Sequence, residues 1–167
     1  DVYRDRIRRL REAMEAGDTA KADRMKKQLP YHTITATYVK ERLAYSLDKY
    51  QDIITVDCDD MPAEKLPEFR QLANDCPDTL GSFISPRMHG LKIFVYLTGK
   101  EAEALRAELN ALGTVDFPTL ERYHHRMYAL ASSKYETLLN TKVDTSGSDP
   151  GRGFFVSHDP DAFFAPE

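Results

Sequence analysis

Long apolar runs and paired cysteine motifs are both missing from this sequence. No stretch approaches the roughly 20 apolar residues needed to cross a bilayer, and the amino terminus is charged from Asp1 and Arg4 onward, unlike a signal peptide. The two cysteines, Cys58 and Cys76, lack CxxC or Cys/His ligand spacing. These absences argue against a helical membrane protein, a disulfide-stapled domain and a cysteine-ligated zinc module. They predict a cytoplasmic protein with reduced, mostly buried thiols.

An excess of positive charge is missing too. Lys and Arg number 23 against 27 Asp and Glu, which gives a net charge of -4. Proteins that bind nucleic acid draw most of their nonspecific affinity from Lys and Arg on phosphates, so any such contact must be local here. A basic cluster near the amino terminus points only weakly to DNA or RNA, because solvated helix faces show the same pattern. The cluster consists of Arg4, Arg6, Arg8, Arg9, Arg11, Lys21, Arg24, Lys26 and Lys27.

Internal repeats and low-complexity tracts are also absent. A composition of 41% hydrophobic and 30% charged residues over 167 positions predicts one folded domain with its own core. We expect residues 1–30 to form a helical hairpin packed on a core domain of residues 31–167. Because the chain starts without methionine, we also expect it to be a piece of a longer protein with a further domain.

Hydrophobic periodicity predicts the order of helices and strands. After the helical hairpin, the branched residues of 32–38 favour an extended segment. From residue 53 the order is strand, helix, strand, strand, helix, strand, with an extra helix before the last strand. The predicted strands are 53–58, 79–85, 91–97 and 154–157, and the predicted helices are 67–75, 100–112 and 116–139. This βαββαβ order predicts an α+β fold, an antiparallel ferredoxin-like or RRM-like sheet with helices on one face.

Such a sheet places its strands in the order fourth, first, third, second, which brings distant residues to one edge. The residues expected at that edge are Asp57, Asp59, Ser85, Gly90, Lys92, Asp144, Asp149 and Arg152. Because successive residues of a strand face opposite sides, Asp57 and Asp59 share a face. The same alternation places Lys92, Phe94 and Tyr96 on the open face, away from the helices. Two carboxylates and a lysine are therefore predicted on one open surface.

Carboxylates two residues apart at a strand end can hold hard cations such as Mg²⁺ or Mn²⁺. Asp57 and Asp59 are thus candidate metal ligands and catalytic residues, and a third carboxylate, Asp144 or as a substitute Asp149, would complete the site. Two such metals can activate a hydroxyl and stabilise leaving pyrophosphate. Lys92 is a candidate contact to nucleotide phosphate, as is Arg152. The ordinary alternatives are a turn after a strand for the aspartates and solvent-exposed cations for the other two.

The motifs resemble the N-terminal domain of VirE-like mobile-element replication proteins, a branch of the archaeo-eukaryotic primase and polymerase superfamily. The similar segments are KKQLP (26–30), IITVDCDD (53–60), SPRMHGLKIFV (85–95) and VDTSGSDPGRGFFVSHD (143–159). Together these segments extend over most of the chain.

The resemblance implies a primase or polymerase type of nucleotidyltransferase. It implies metal ligands at Asp57, Asp59 and Asp144, with Mg²⁺ or Mn²⁺ as cofactor. The implied nucleotide contacts are Ser85, Lys92, Arg152 and His158, with Arg87 adding charge in the loop that ends at Gly90. The implied partners are a single-stranded DNA template, nucleoside triphosphates, and a helicase or other domain elsewhere in a mobile-element protein.

The main alternative is a non-catalytic RRM-like module that binds single-stranded nucleic acid, with Phe94 and Tyr96 as stacking platforms. Packing of both rings beneath the amino-terminal hairpin explains the pattern equally well. A nuclease of the Asp, acidic-x-Lys type is weaker, because Gly90 stands two places before Lys92 where the acidic residue belongs. A haloacid-dehalogenase-like phosphatase would need repeated parallel βα units.

Overall fold

The computed structural model describes residues 2–166 as five helices and eight short strands. The helices are α1 (Val2–Glu15), α2 (Thr19–Lys26), α3 (Leu66–Asn74), α4 (Lys100–Asn110) and α5 (Phe117–Leu139). The strands are β1 (Tyr31–His32), β2 (Ala36–Tyr38), β3 (Leu47–Tyr50), β4 (Ile54–Cys58), β5 (Thr79–Ile84), β6 (Leu91–Val95), β7 (Phe154–Phe155) and β8 (Phe163–Phe164). No described helix is long and apolar enough to cross a membrane.

Four antiparallel strands form the main sheet in the order β4, β6, β5, β8. The first three predicted strands therefore lie in the predicted order first, third, second. The predicted α+β class is confirmed: an antiparallel sheet carries packed helices, and a helix pair stands at the amino terminus.

One face of this sheet packs against helices α3 and α5, with α4 lying on α5. The alternation of β4 and β6 determines this face, because Ile54, Val56, Ile93 and Val95 are fully buried in the same core. Each such side chain contributes about 1.5–3 kcal/mol on burial. This layer forms the larger of two hydrophobic cores.

The opposite face is covered rather than open. Strands β1 and β7 pair as a two-stranded ribbon, and the ring of Phe154 in β7 lies 4.9 Å from that of Phe94 and 5.5 Å from that of Phe83. On its other side the ribbon turns Phe155 toward the second core, which consists of Ile7, Leu10 and Ala13 of α1, Ala22 of α2, and Leu29 after α2. The ribbon is thus packed between the sheet and the helical hairpin.

The last predicted strand was consequently placed wrongly. Phe154 and Phe155 pair with Tyr31 and His32, not with the free edge of β4. The turn at 145–148 occupies that edge. It lies so close to β4 that a Cβ on Gly147 would be only 2.5 Å from the carbonyl oxygen of Thr55. Two adjacent phenylalanines facing opposite layers suit a strand that packs against one layer on each side.

The open-face prediction was wrong for Lys92, whereas for Phe94 the structure agrees with the alternative of a packed ring, which lies beneath the β1–β7 ribbon. Both side chains point away from the helices, as predicted, but they are only 7% and 6% exposed. Tyr96 remains partly exposed, and the guanidinium carbon of Arg106 lies 4.1 Å from the centre of its ring. Because Phe94 is enclosed by two other phenylalanines, it offers no free face on which a base could stack.

The extended segment predicted at 32–38 is divided between two sheets. Its start joins the ribbon as β1, while β2 pairs antiparallel with β3, a strand that hydrophobic periodicity did not indicate. The close pairing of β1 and β7 requires glycine at position 153. A Cβ there would lie 2.2 Å from the carbonyl oxygen of His32, which is too close for any side chain.

Candidate metal site

Three carboxylates meet at one edge of the main sheet. One oxygen from each of Asp57, Asp59 and Asp144 lies within 4.8 Å of the other two. Asp57 is in β4 and Asp59 follows that strand by one residue. Asp144 is brought in by a backbone hydrogen bond, in which its N–H donates to the carbonyl oxygen of Asp57 at 2.8 Å. The predicted convergence of these three residues is therefore observed, although the fourth strand lies elsewhere.

Asp57 is the buried member of the cluster. Its side chain is 7% exposed and forms an ion pair with Lys92, the residue directly opposite it in β6. The ion pair uses Oδ2, whereas Oδ1 is buried without a hydrogen-bond partner among the described residues. A buried carboxylate oxygen without a partner is costly and calls for a donor or a cation.

Asp144 is held by the turn that it starts. Its two carboxylate oxygens accept hydrogen bonds from the N–H of Ser146 at 3.0 Å and from the Ser146 hydroxyl at 2.6 Å. Burial acts to raise the pKa of Asp144, but these hydrogen bonds and the charges of Arg152 and Lys92 outweigh it and hold the pKa below its ordinary value. The turn therefore favours the charged form of the Asp144 carboxylate and fixes its position beside Asp57.

Asp59 lies at the more exposed side of the cluster. Burial raises its pKa, the positive charge of Lys26 opposes that effect, and Asp144 adds to it. The Asp59 carboxylate lies close to the loop between β5 and β6. A Cβ on Gly90 in this loop would be 2.9 Å from Oδ1 of Asp59 and 2.7 Å from the Cys58 carbonyl oxygen. Glycine at this position thus allows the loop to lie against the end of β4.

Three cations surround the carboxylates. Lys92 contacts Asp57, and a guanidinium nitrogen of Arg152 lies 3.7 Å from Asp144. Lys26, at the end of α2, is close enough to act electrostatically on both Asp59 and Lys92. Burial, together with the charges of Lys26 and Arg152, lowers the pKa of Lys92. The site therefore combines oxygen ligands with cations that could neutralise a polyphosphate.

Lys26 was not among the predicted site residues. We interpreted it as part of a basic run on a solvent-exposed helix face, and no local sequence feature distinguishes it from Lys27. It reaches the site because the helical hairpin lies over the ribbon, where its ammonium nitrogen is 5.5 Å from the centre of the Phe155 ring.

Four other predicted site residues are not among the three clustered carboxylates and have the following contacts. Asp149, the substitute third ligand, accepts a hydrogen bond from the N–H of Gly151 at 2.7 Å and is not in the cluster. Arg87 forms an ion pair with Asp23 of α2. Ser85 is buried in the hairpin, and its N–H donates to the Gly90 carbonyl oxygen at 2.8 Å. The carbonyl oxygen of His158 accepts from Arg11 at 2.7 Å.

A buried histidine supports the turn that carries Asp144. His124 of α5 is fully buried, and its Nε2 lies 3.0 Å from the Gly147 carbonyl oxygen. Because a carbonyl oxygen only accepts, Nε2 carries the proton, and Nδ1 accepts from the Tyr50 hydroxyl at 3.0 Å. Burial lowers the pKa of His124. The neutral imidazole thus connects the helix layer to the turn beside the site.

Replacing His124 with glutamine should flatten the acid dependence of stability. The unfolded chain takes up a proton near the ordinary histidine pKa of about 6.5, whereas the folded chain resists protonation to lower pH. The wild-type free energy of unfolding should therefore fall as pH drops below about 6.5, by at most about 1.4 kcal/mol per pH unit from this group. Urea denaturation between pH 5 and pH 8 measures both curves.

His125 provides the matched control, because it is the next residue of the same helix and is exposed. His125→Gln should leave the pH dependence of wild type unchanged. Parallel curves for wild type and His124→Gln would contradict the neutral, buried state of His124.

Comparison with known protein families gives one match. The family model described as BT4734-like, N-terminal domain, matches residues 24–164, which include all three carboxylates and all three cations of the site. No curated protein and no solved structure matches the chain.

The match corrects the family suggested by the motifs. The family is a different one from the VirE-like N-terminal domain, so that assignment within the primase superfamily is wrong. The motifs misled because an apolar strand ending in Asp-x-Asp and a glycine turn before a lysine are short patterns that local structure favours in many folds. Function must therefore be argued from the site itself.

Proposed function

The chain belongs to the BT4734-like, N-terminal domain family, and we propose that it is a divalent-metal-dependent nucleotidyltransferase. Asp57, Asp59 and Asp144 would be the metal ligands, and Mg²⁺ or Mn²⁺ the cofactor. The substrates would be nucleoside triphosphates and a single-stranded nucleic-acid template, in the cytoplasm that the cysteine usage favours.

The observation that carries this proposal is the unpartnered Oδ1 of Asp57. The atom is buried beside two further carboxylates, at a distance from them that one cation could bridge. Three carboxylates so close together repel one another, and the repulsion is relieved when they share a cation. The ordinary explanation, a turn after a strand, accounts for the positions of Asp59 and Asp60 but not for a buried carboxylate oxygen without a donor.

The mixture of charges favours a phosphorylated substrate over a site for a bare metal. A purely structural cation site needs only oxygen ligands, whereas here Lys26, Lys92 and Arg152 lie around the carboxylates. A bound Mg²⁺ or Mn²⁺ would supply the positive charge that polarises a phosphoryl oxygen and makes an attacking hydroxyl more acidic. The three cations would bind the remaining phosphate oxygens and favour departure of pyrophosphate.

Nucleotide incorporation tests the proposal directly. With a single-stranded DNA template, with and without a primer, we expect labelled nucleotide to enter the product in the presence of Mg²⁺ or Mn²⁺. EDTA should abolish incorporation, and re-addition of the metal should restore it, because the carboxylates alone do not activate the hydroxyl. Ribonucleotides and deoxyribonucleotides are assayed in parallel.

Two results would contradict this function. No incorporation with either nucleotide class, together with no Mg²⁺ or Mn²⁺ binding by calorimetry, would remove the metal site. Tight binding of the oligonucleotide in EDTA without any incorporation would favour the non-catalytic binding module instead.

A further inference from the structure

The loop between β2 and β3 presents apolar and basic side chains to solvent. We call residues 39–45 the β2–β3 tip. Tyr45 is 80% exposed, Val39 71% and Leu43 45%, and Lys40 and Arg42 in the same loop are exposed too. The Tyr45 hydroxyl lies 3.4 Å from a carboxylate oxygen of Glu41, and most of the side-chain surface is open to solvent.

The β2–β3 tip is joined directly to the loop that carries Arg152. Arg42 donates hydrogen bonds to the Gly151 carbonyl oxygen at 2.7 Å and to the Tyr31 hydroxyl at 2.8 Å. Gly151 precedes Arg152, whose guanidinium lies 3.7 Å from Asp144. The tip is therefore anchored to the same loop whose Arg152 reaches Asp144.

The chemistry of the tip matches single-stranded nucleic acid. An exposed aromatic ring stacks on bases without regard to their identity, and neighbouring lysine and arginine side chains neutralise the backbone. The tip carries two basic residues and one acidic residue in a chain with a net charge of -4. Positive charge beside an exposed ring is therefore a local feature, complementary to a polyanion with exposed bases.

We propose that the β2–β3 tip binds the single-stranded template, with Tyr45 stacking on a base and Lys40 contacting the backbone. Arg42 holds the tip against the 149–153 loop, so that the bound strand is directed toward Asp144. This inference rests on the proposed function, because the strand on the tip is the template for that reaction.

Oligonucleotide binding in EDTA tests the tip separately from the chemistry. The probe is a fluorescein-labelled single-stranded DNA, and anisotropy is measured at several salt concentrations. Tyr45→Ala should weaken binding at least about fivefold, since one base stack is lost. Lys40→Ser should weaken binding and reduce its salt dependence, because one phosphate contact is lost.

Phe164 supplies the matched control, since it is 70% exposed in β8 at the far edge of the main sheet. Phe164→Ala should bind DNA as wild type does. Equal affinity of wild type and Tyr45→Ala overturns the tip assignment, and so does wild-type protein that does not bind the probe. A wild-type dimer that Tyr45→Ala converts to a monomer would instead assign the tip to self-association.

The two proposals fail in different ways. Wild-type protein that incorporates nucleotide but binds DNA independently of Tyr45 overturns the tip and leaves the nucleotidyltransferase. Tyr45-dependent binding without incorporation leaves the tip and removes the enzyme.

Discussion

Asp57→Asn is expected to lower metal-dependent nucleotide incorporation on the order of a thousandfold, a loss of about 4 kcal/mol of transition-state stabilisation. The substitution keeps the size of the side chain but removes the charge of the one buried carboxylate in the cluster. Incorporation rates at saturating metal and nucleotide measure the effect, and calorimetry should show weaker Mn²⁺ binding. Circular dichroism at the assay temperature confirms that the variant is folded.

Asp60→Asn is the control for this experiment. It makes the same change of charge three residues away, and Asp60 is exposed with a φ of 53°, a conformation that asparagine adopts readily. Its activity should stay within a few fold of wild type. Equal rates for wild type, Asp57→Asn and Asp60→Asn would remove Asp57 from the site.

Lys92→Met is expected to destabilise the fold by about 3 kcal/mol in the absence of divalent cations. The ammonium group is the ion-pair partner of Asp57, and both side chains are at least nine-tenths buried. Methionine of similar length leaves the carboxylate buried without its counterion. Urea denaturation in EDTA measures the loss.

The double variant separates the ion pair from packing. Asp57→Asn with Lys92→Met should be more stable than the sum of the two single changes predicts, because the uncompensated charge is gone. Saturating Mn²⁺ should recover stability for Lys92→Met but not for the double variant, since a cation bound by the carboxylates replaces the lost charge. Simple additivity in EDTA would show that the two groups do not interact.

Local patterns predicted the half of the fold that faces the helices. The alternation in β4 and β6, the turn at Gly90 and the apolar stripe of α5 each depend on neighbours in the chain, and all three were confirmed. The shared face of Asp57 and Asp59 followed from the same alternation. Asp144 was expected beside them through a fourth strand next to β4, but it is held there by a hydrogen bond from its N–H to the Asp57 carbonyl oxygen.

The covered face could not be predicted in the same way. Lys92 and Phe94 were assigned to an open surface because alternation tells which way a side chain points but not what lies above it. The covering ribbon joins residues more than a hundred positions apart, and periodicity carries no signal for such pairing. Lys26 reaches the site only because the helical hairpin packs on the same ribbon. Its sequence context therefore predicted an ordinary solvated helix face.

The choice between Asp144 and Asp149 was left open by the sequence for a related reason. Both stand in a polar loop, and both carboxylates accept hydrogen bonds from backbone N–H groups within two residues. The backbone hydrogen bond from Asp144 to Asp57 brings Asp144 to the cluster, and no residue type encodes that contact.

The placement of the β1–β7 ribbon makes the helical hairpin an integral part of the domain. A fragment of residues 31–167 would keep the three clustered carboxylates, yet it would remove the apolar neighbours of Phe155 and Val156 in α1 and α2. It would also remove the Arg11 contacts to the carbonyl oxygens of Pro86 and His158. The helical hairpin, the ribbon and the edge with the carboxylate cluster are therefore packed together, and we expect removal of the amino terminus to loosen the far end of the chain.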